Sequence, residues 1–66
     1  MDKVELNIES IRVMMSLSRK EMADRLGINI DRYNRLATGE SRLLATEFKK
    51  LHEISGLPMD VIKATI

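Results

Sequence analysis

Cysteine is absent from this chain of 66 residues, and histidine occurs once, at His52. Without cysteine, the chain has no disulfide framework and no thiolate metal site. His52 has no second histidine at the spacing that a helical metal site needs. We therefore interpret His52 as a packed or solvated side chain, and we predict that the protein uses no metal ion and no other cofactor.

Long apolar runs are missing as well. No stretch approaches the ~18 residues of a membrane-spanning helix, and no basic segment leads into an apolar one as it does in a secretion signal. These absences argue against membrane insertion and export, and we expect a cytoplasmic protein. The apolar fraction of 44% nevertheless excludes a disordered chain.

Residue patterns of enzymes are also lacking. Glu21 and Asp24 stand three residues apart on one predicted helix, a spacing that is compatible with an acid/base pair. No nucleophile, glycine-rich phosphate loop or histidine accompanies them, so no active site is assembled. We predict that the protein is not an enzyme.

Length limits the chain to one domain, which we place at residues 1–66. A chain of this size buries only ~60% of the surface that its unfolded form exposes. We therefore expect modest stability, unless the chain dimerises or belongs to something longer.

The centre of the chain carries the signals of two short helices joined by a turn. Ser18 and Glu21 have the S-x-x-E spacing of a capping box, in which each side chain bonds the other residue's backbone N–H. Gly27 tolerates the positive φ that ends such a helix, and Asn29 is a suitable cap for a second helix beginning at Ile30.

Apolar positions repeat on one face of each of these helices. They are Met22, Ala23 and Leu26 on the first helix, and Tyr33, Leu36 and Ala37 on the second. Two helices joined by a glycine-containing turn of three or four residues predict a helix-turn-helix, with its core at about residues 18–38.

This region resembles the helix-turn-helix of the lambda-repressor-like group, which includes the Cro and Xre regulators. The similarity lies in the sequences LSRKEMA (17–23), LGI (26–28), YNRL (33–36) and TG (38–39), and it extends outward to about Ile8 and Ile62. The resemblance implies a compact all-α bundle and a sequence-specific transcriptional regulator, of prokaryotic or phage repressor type. Its partner is double-stranded DNA, read in the major groove by the helix that starts at Ile30.

The DNA-contacting positions of that family fall on the exposed face of the second helix. The residues at the matching positions are Asn29, Ile30, Asp31, Asn34 and Arg35. Asn34 suits adenine, Arg35 suits guanine and Ile30 suits a thymine methyl group. Asp31 either accepts from a cytosine amino group or simply favours the positive helix terminus, and we prefer the second interpretation. Arg19 is placed for a phosphate contact, whereas Arg32 and Arg42 are either phosphate contacts or solvated charges.

Charge supports this function only mildly. The net charge is +1, and residues 17–42 hold six basic against four acidic side chains. Every arginine except Arg12 lies in that stretch, and arginine binds phosphates and guanine edges bidentately. Two departures from the family weaken the loop after the second helix as a phosphate site: Glu40 stands where relatives often have a basic residue, and the proline that they often have a few residues later is missing.

The flanking segments predict three further helices, for about five short helices in all. The first begins after the cap Asn7, the fourth runs from about Ala45 to Ser55, and the last covers Met59 to Ala64. Leu44, Phe48, Leu51 and Ile54 form the expected buried stripe of the fourth helix, with Phe48 central. The segment before Asn7, with Val4 and Leu6, is either extended or an arm that packs on the domain.

Two surfaces remain open to interpretation. Val13 and Met14 either fill an irregular core, which we prefer, or form an exposed patch for a partner. Val61, Ile62 and Ile66 either form a homodimer interface or complete the monomer core, and for Ile62 we prefer the core.

The rival function is a protein-binding module on the same fold, such as an antirepressor or a domain that docks onto a regulator. The low net charge, Asp31 and Glu40 favour that rival.

Overall fold

The computed structural model describes residues 5–66, and in this range the chain is all-α, as the sequence predicts. Its elements are α1 (Ile8–Met14), α2 (Arg19–Leu26), α3 (Ile30–Thr38), α4 (Ala45–Ser55) and a 3-10 turn (Met59–Val61). Val4 lies outside the described residues. Leu6 pairs in parallel with Ile62, so the residues just before α1 lie along the C-terminal segment.

The predicted caps set the ends of the helices. The Asn7 side chain accepts a hydrogen bond from the Ser10 backbone at the start of α1, at 2.8 Å. Gly39 and Gly56 end α3 and α4 in the left-handed region, at φ 84° and 73°. Only glycine takes this conformation without a steric penalty, so both helix ends are encoded locally.

The core is built where the four helices meet. Its largest fully buried side chains are Tyr33, Ile11, Met22, Leu36 and Leu51. Burying each of these side chains contributes on the order of 2 kcal/mol relative to leaving it in water. The prediction that Phe48 occupies the centre is wrong: Phe48 is only partly buried against this cluster, whereas Tyr33 is fully covered.

The predicted buried stripe of α4 is wrong at its first residue. Leu44 is 59% exposed, and the preceding Leu43 is buried instead. The reason is that Leu44 is the N-cap with an extended backbone, so its side chain does not follow the helical repeat. The Leu43 N–H donates to the Ala64 carbonyl at 2.9 Å, which ties this loop to the C-terminal segment.

The predicted last helix is shorter than expected, because it contains only the 3-10 turn Met59–Val61. Ile62 is extended, and the Lys63 N–H donates to the Leu6 carbonyl at 2.8 Å. Pairing with the Leu6 strand segment therefore replaces helical hydrogen bonds. Pro58 directly precedes the turn, as the sequence indicates.

Val13 and Met14 do not fill the core, so the preferred interpretation of these residues is wrong. They are 64% and 57% exposed. α1 has only seven residues, and it is Ile8 and Ile11 that it buries against the other helices. The apolar side chains at its C-terminal end therefore face solvent.

Candidate nucleic-acid interface

Local features fix both ends of α2 and the start of α3. Ser18 and Glu21 form the predicted capping box, with the Glu21 N–H 3.1 Å from Ser18 Oγ and the Ser18 N–H 2.9 Å from Glu21 Oε1. Gly27 ends α2 at φ 73°. Asn29 Oδ1 then accepts from the Arg32 N–H at 2.8 Å and starts α3. Gly27 and the Asn29 cap lie on either side of the turn, so they set the direction in which α3 leaves it.

α3 has one buried and one outward side, as its sequence predicts. Tyr33, Leu36 and Ala37 pack into the core. The other side carries Ile30, which is 40% exposed, the exposed Asp31 and Arg35, and the half-buried Asn34. Because residues three and four apart are neighbours on a helix, these four side chains form one continuous surface. We call Ile30, Asp31, Asn34 and Arg35 the α3 outer face.

A carboxylate from α1 connects to α2 and α3 beside this face. Glu9 accepts from Arg12 Nε at 3.0 Å and from Arg19 Nη2 at 3.2 Å. The Tyr33 hydroxyl donates to the same carboxylate. Arg19 in turn donates from Nη1 to Asn34 Oδ1 at 3.3 Å. Arg19, the phosphate candidate of α2, thus connects Glu9 of α1 with Asn34, a base-reading candidate of α3.

These contacts shift the ionisation of the groups involved. The hydrogen bond from Arg12 is the main reason that the pKa of Glu9 falls from 4.5 to about 2, with Tyr33 and Arg19 contributing further. Burial, followed by the hydrogen bond to Glu9, raises the pKa of Tyr33 well above its usual range. Glu9 is therefore ionised and Tyr33 is neutral at neutral pH.

Arg32 departs from the predicted role. Its Nε lies 2.9 Å from Glu47 Oε2, and its Nη2 lies 2.7 Å from Glu47 Oε1. Nη2 also donates to the Arg42 carbonyl at 3.1 Å. The pair lies inside the fold, since the Arg32 and Glu47 side chains are only 22% and 7% exposed. Arg32 is thus neither a solvated charge nor a free phosphate donor: it joins α3 to α4.

Glu47 also stabilises the start of α4. Its Oε1 accepts from the N–H of the N-cap, Leu44, at 2.8 Å, which is the half of a capping box that the N3 residue supplies. The hydrogen bond from Arg32 is the main reason that the pKa of Glu47 is lowered. The Glu47 carboxylate therefore stabilises the start of α4 and also connects α4 with α3.

The loop after α3 keeps one candidate phosphate contact available. Arg42 is exposed, and its carbonyl is held by Arg32. The exposed Glu40 lies in the same loop and opposes phosphate binding there. The Ser41 N–H donates to the Arg35 carbonyl at 3.1 Å, so the loop folds back against the end of α3.

The candidate dimer residues differ in exposure. Ile62 is 6% exposed and belongs to the core, in agreement with the interpretation that we preferred for it. Val61 is half-buried, whereas Ile66 is 44% exposed. Ile66 lies beside Gly39, where a Cβ added to the glycine would come within 3.6 Å of the Ile66 Cβ.

The other polar residues singled out in the sequence have structural partners. His52 is half-buried, and its Nδ1 lies 2.5 Å from the Leu57 carbonyl, as a packed side chain would. Glu21 is occupied by the capping box. Glu9 is the residue whose role the sequence did not reveal, although its spacing from Arg12 is that of an ion pair within one helix.

Comparison with known proteins agrees with this architecture. A family model described as helix-turn-helix, of the Cro and C1 type, matches residues 8–62. Searches of curated proteins and of solved structures found no match. No helix within residues 5–66 is long and apolar enough to cross a membrane. From the matched residues and the geometry of α2 and α3, the chain belongs to the lambda-repressor-like helix-turn-helix family of DNA-binding regulators.

Proposed function

We propose that this protein is a sequence-specific transcriptional regulator of repressor type, which reads the major groove of double-stranded DNA with the α3 outer face. The observation that supports this proposal is the two-sided character of α3. Its apolar side is fully used by the core, while Ile30, Asp31 and Arg35 are left exposed beside the half-buried Asn34. Because the core contacts only one side of α3, the opposite side is free to contact base edges in the major groove.

The chemistry of the exposed side chains suits a mixed base sequence. Arg35 is a bidentate donor for guanine O6 and N7, and Ile30 offers an apolar contact for a thymine methyl group. Asp31 stays a candidate for a cytosine amino group, although its place in the first turn of α3 also suits the helix terminus. Asn29 has its oxygen committed to the cap, so only its amide N–H groups remain for a base or phosphate.

Backbone contacts come from fewer residues than the sequence predicts. Arg19 is 46% exposed and Arg42 is exposed, so both remain candidates for phosphate. Arg32 is no longer a candidate, because Glu47 holds its guanidinium.

Because each copy offers so few cations, we propose that two copies bind DNA together, with half-sites about 34 Å apart. Val61 and Ile66 are the candidate contacts between the two copies, while Ile62 is already buried in each of them. Such a regulator acts on DNA in the cytoplasm of a prokaryote.

The second candidate function is a protein-binding module on the same fold. Its supporting observation is the exposure of Val13 and Met14, two adjacent apolar side chains at the end of α1. Single exposed apolar residues are ordinary, but neighbouring ones are typical of partner surfaces. Asp31 and Glu40 are also exposed, and both oppose binding to a polyanion.

Selection from random DNA tests the leading proposal. The purified protein is mixed with duplexes that carry about 20 random base pairs, and the bound fraction is sequenced over several rounds. A regulator enriches one motif, and a dimer enriches a two-fold symmetric one whose halves lie about one helical turn apart. A pool that stays random through the selection contradicts sequence-specific reading and favours the protein-binding module.

A further inference from the structure

We propose that Arg19 determines base specificity through Asn34: it holds the amide oxygen of Asn34, so that the amide N–H groups are the part offered to a base. This inference rests on the proposed reading of DNA by α3. It also revises the sequence-based assignment of Asn34 to adenine.

The chemistry of the two side chains fixes the orientation of the amide. Arg19 Nη1 lies 3.3 Å from the Asn34 side chain. A guanidinium has donors only, so the atom that faces it must be the acceptor Oδ1. The Asn34 Nδ2 group, on the other branch of the same planar amide, therefore points away from Arg19.

Arg19 is itself held in place by the interior of the fold. Its Nη2 donates to Glu9 Oε2 at 3.2 Å. Glu9 is only 22% exposed, and both Arg12 and the Tyr33 hydroxyl donate to it. The contacts run from Tyr33 through Glu9 and Arg19 to Asn34. They begin and end on α3, because Tyr33 and Asn34 are neighbours in that helix. The geometry of Asn34 is thus set before DNA arrives, as specific recognition requires.

The orientation favours keto bases over adenine. A bidentate contact with adenine needs the amide oxygen to accept from N6 while the amide nitrogen donates to N7. Here Oδ1 already faces a guanidinium, whose positive charge repels the partly positive N6 amino group. The free N–H groups of Asn34 instead match O6 and N7 of guanine or O4 of thymine. Cytosine, which offers an amino donor in the major groove, is disfavoured.

The test compares the motifs that are selected by the wild-type protein and by Arg19→Met. Asn34→Ala first identifies the base position that Asn34 reads, since the preference is lost there. At that position, wild type should enrich guanine or thymine, and Arg19→Met should shift the preference towards adenine by about tenfold. Arg25→Met is the matched control, because it removes an exposed arginine from the same helix. It should leave the base preference at this position unchanged.

A double variant separates this role from a plain phosphate contact. If Arg19 acts through Asn34, Arg19→Met should cause no change of preference when Asn34 is already alanine. The inference is overturned if Arg19→Met weakens binding uniformly and keeps the wild-type preference, or if its shift persists in the Asn34→Ala background. A wild-type protein that enriches no motif at all overturns the proposed function together with this inference, so the two failures are distinguishable. Circular dichroism of each variant checks that the helices are intact.

Discussion

Arg32 of α3 binds both carboxylate oxygens of Glu47 of α4, at 2.9 Å from Nε and 2.7 Å from Nη2. Through this contact, a residue of α3 helps to hold α3 against α4. A planar guanidinium and a carboxylate match in this two-point geometry, which restricts rotation as well as distance. The ion pair therefore ties α3 directly to α4, in addition to the packing of both helices against α2.

Loss of this ion pair should destabilise the protein strongly. Glu47→Ala leaves the Arg32 charge without its partner and the Leu44 N–H without an acceptor, so we expect the free energy of unfolding to fall by about 3 kcal/mol. Urea denaturation measures the change. The control is Glu53→Ala, an exposed glutamate of the same helix, which should change stability by less than about 0.5 kcal/mol. Equal effects of the two substitutions would show that the pair contributes nothing.

Acid should weaken the fold through Glu9. Its pKa is about 2 in the folded protein and 4.5 ordinarily, so the unfolded chain binds the proton more readily. The stabilisation is complete above about pH 4.5 and is lost as the pH falls towards 2. In urea denaturation, the stability difference between wild type and Glu9→Gln should therefore shrink from pH 5 to pH 2. A stability difference that stays constant from pH 5 to pH 2 would exclude Glu9 as the cause of the loss of stability in acid.

Arg35 should carry base specificity without supporting the fold. It is exposed on the α3 outer face, so Arg35→Ala should leave the unfolding free energy within about 0.5 kcal/mol of wild type. Discrimination at one guanine position should fall by about tenfold or more, which competition binding with single-base variants of the selected site measures. If Arg35→Ala melts the domain, the assigned facing of α3 is wrong.

The exposed apolar residues of α1 should contribute little to stability. Val13 and Met14 already face solvent, so replacing both by serine should change the free energy of unfolding by less than about 0.5 kcal/mol. Ile11→Ser is the contrasting variant, because Ile11 is fully buried and its loss should cost about 3 kcal/mol or more. DNA affinity of the double serine variant should equal that of wild type. A loss of affinity in this variant would place α1 at the DNA.

The local features of this fold were predictable, and the long-range contacts were not. Asn7, Ser18, Asn29 and Gly27 act on residues within four positions, so the sequence indicates the helix ends correctly. The buried residues of α2 and α3 were also predicted correctly, because the helical repeat that identifies them is a local pattern. The exposure of Leu44 was missed although the start of α4 at Ala45 was predicted, because the apolar repeat was extended to the N-cap, whose extended backbone does not follow the helical repeat.

The ion pairs show the limit of sequence reasoning at the site. Arg32 and Glu47 are 15 positions apart, and only the path of the intervening loop brings them together. Glu9 and Arg19 likewise meet because α1 and α2 both pack against α3. The helical repeat therefore predicted which side of α3 faces outward, whereas tertiary packing decided that Arg32 is paired with Glu47 and that Asn34 is held by Arg19.

The central claim is that this protein binds DNA through charged side chains, and its salt dependence tests that claim most directly. Fluorescence anisotropy of a labelled duplex is measured with wild-type protein at 50 mM and 200 mM salt. If two copies each neutralise phosphates with Arg19 and Arg42, four contacts predict that affinity falls about a hundredfold over this fourfold increase. Absence of binding at 50 mM salt, or an affinity that hardly responds to salt, would contradict the account and favour the protein-binding module.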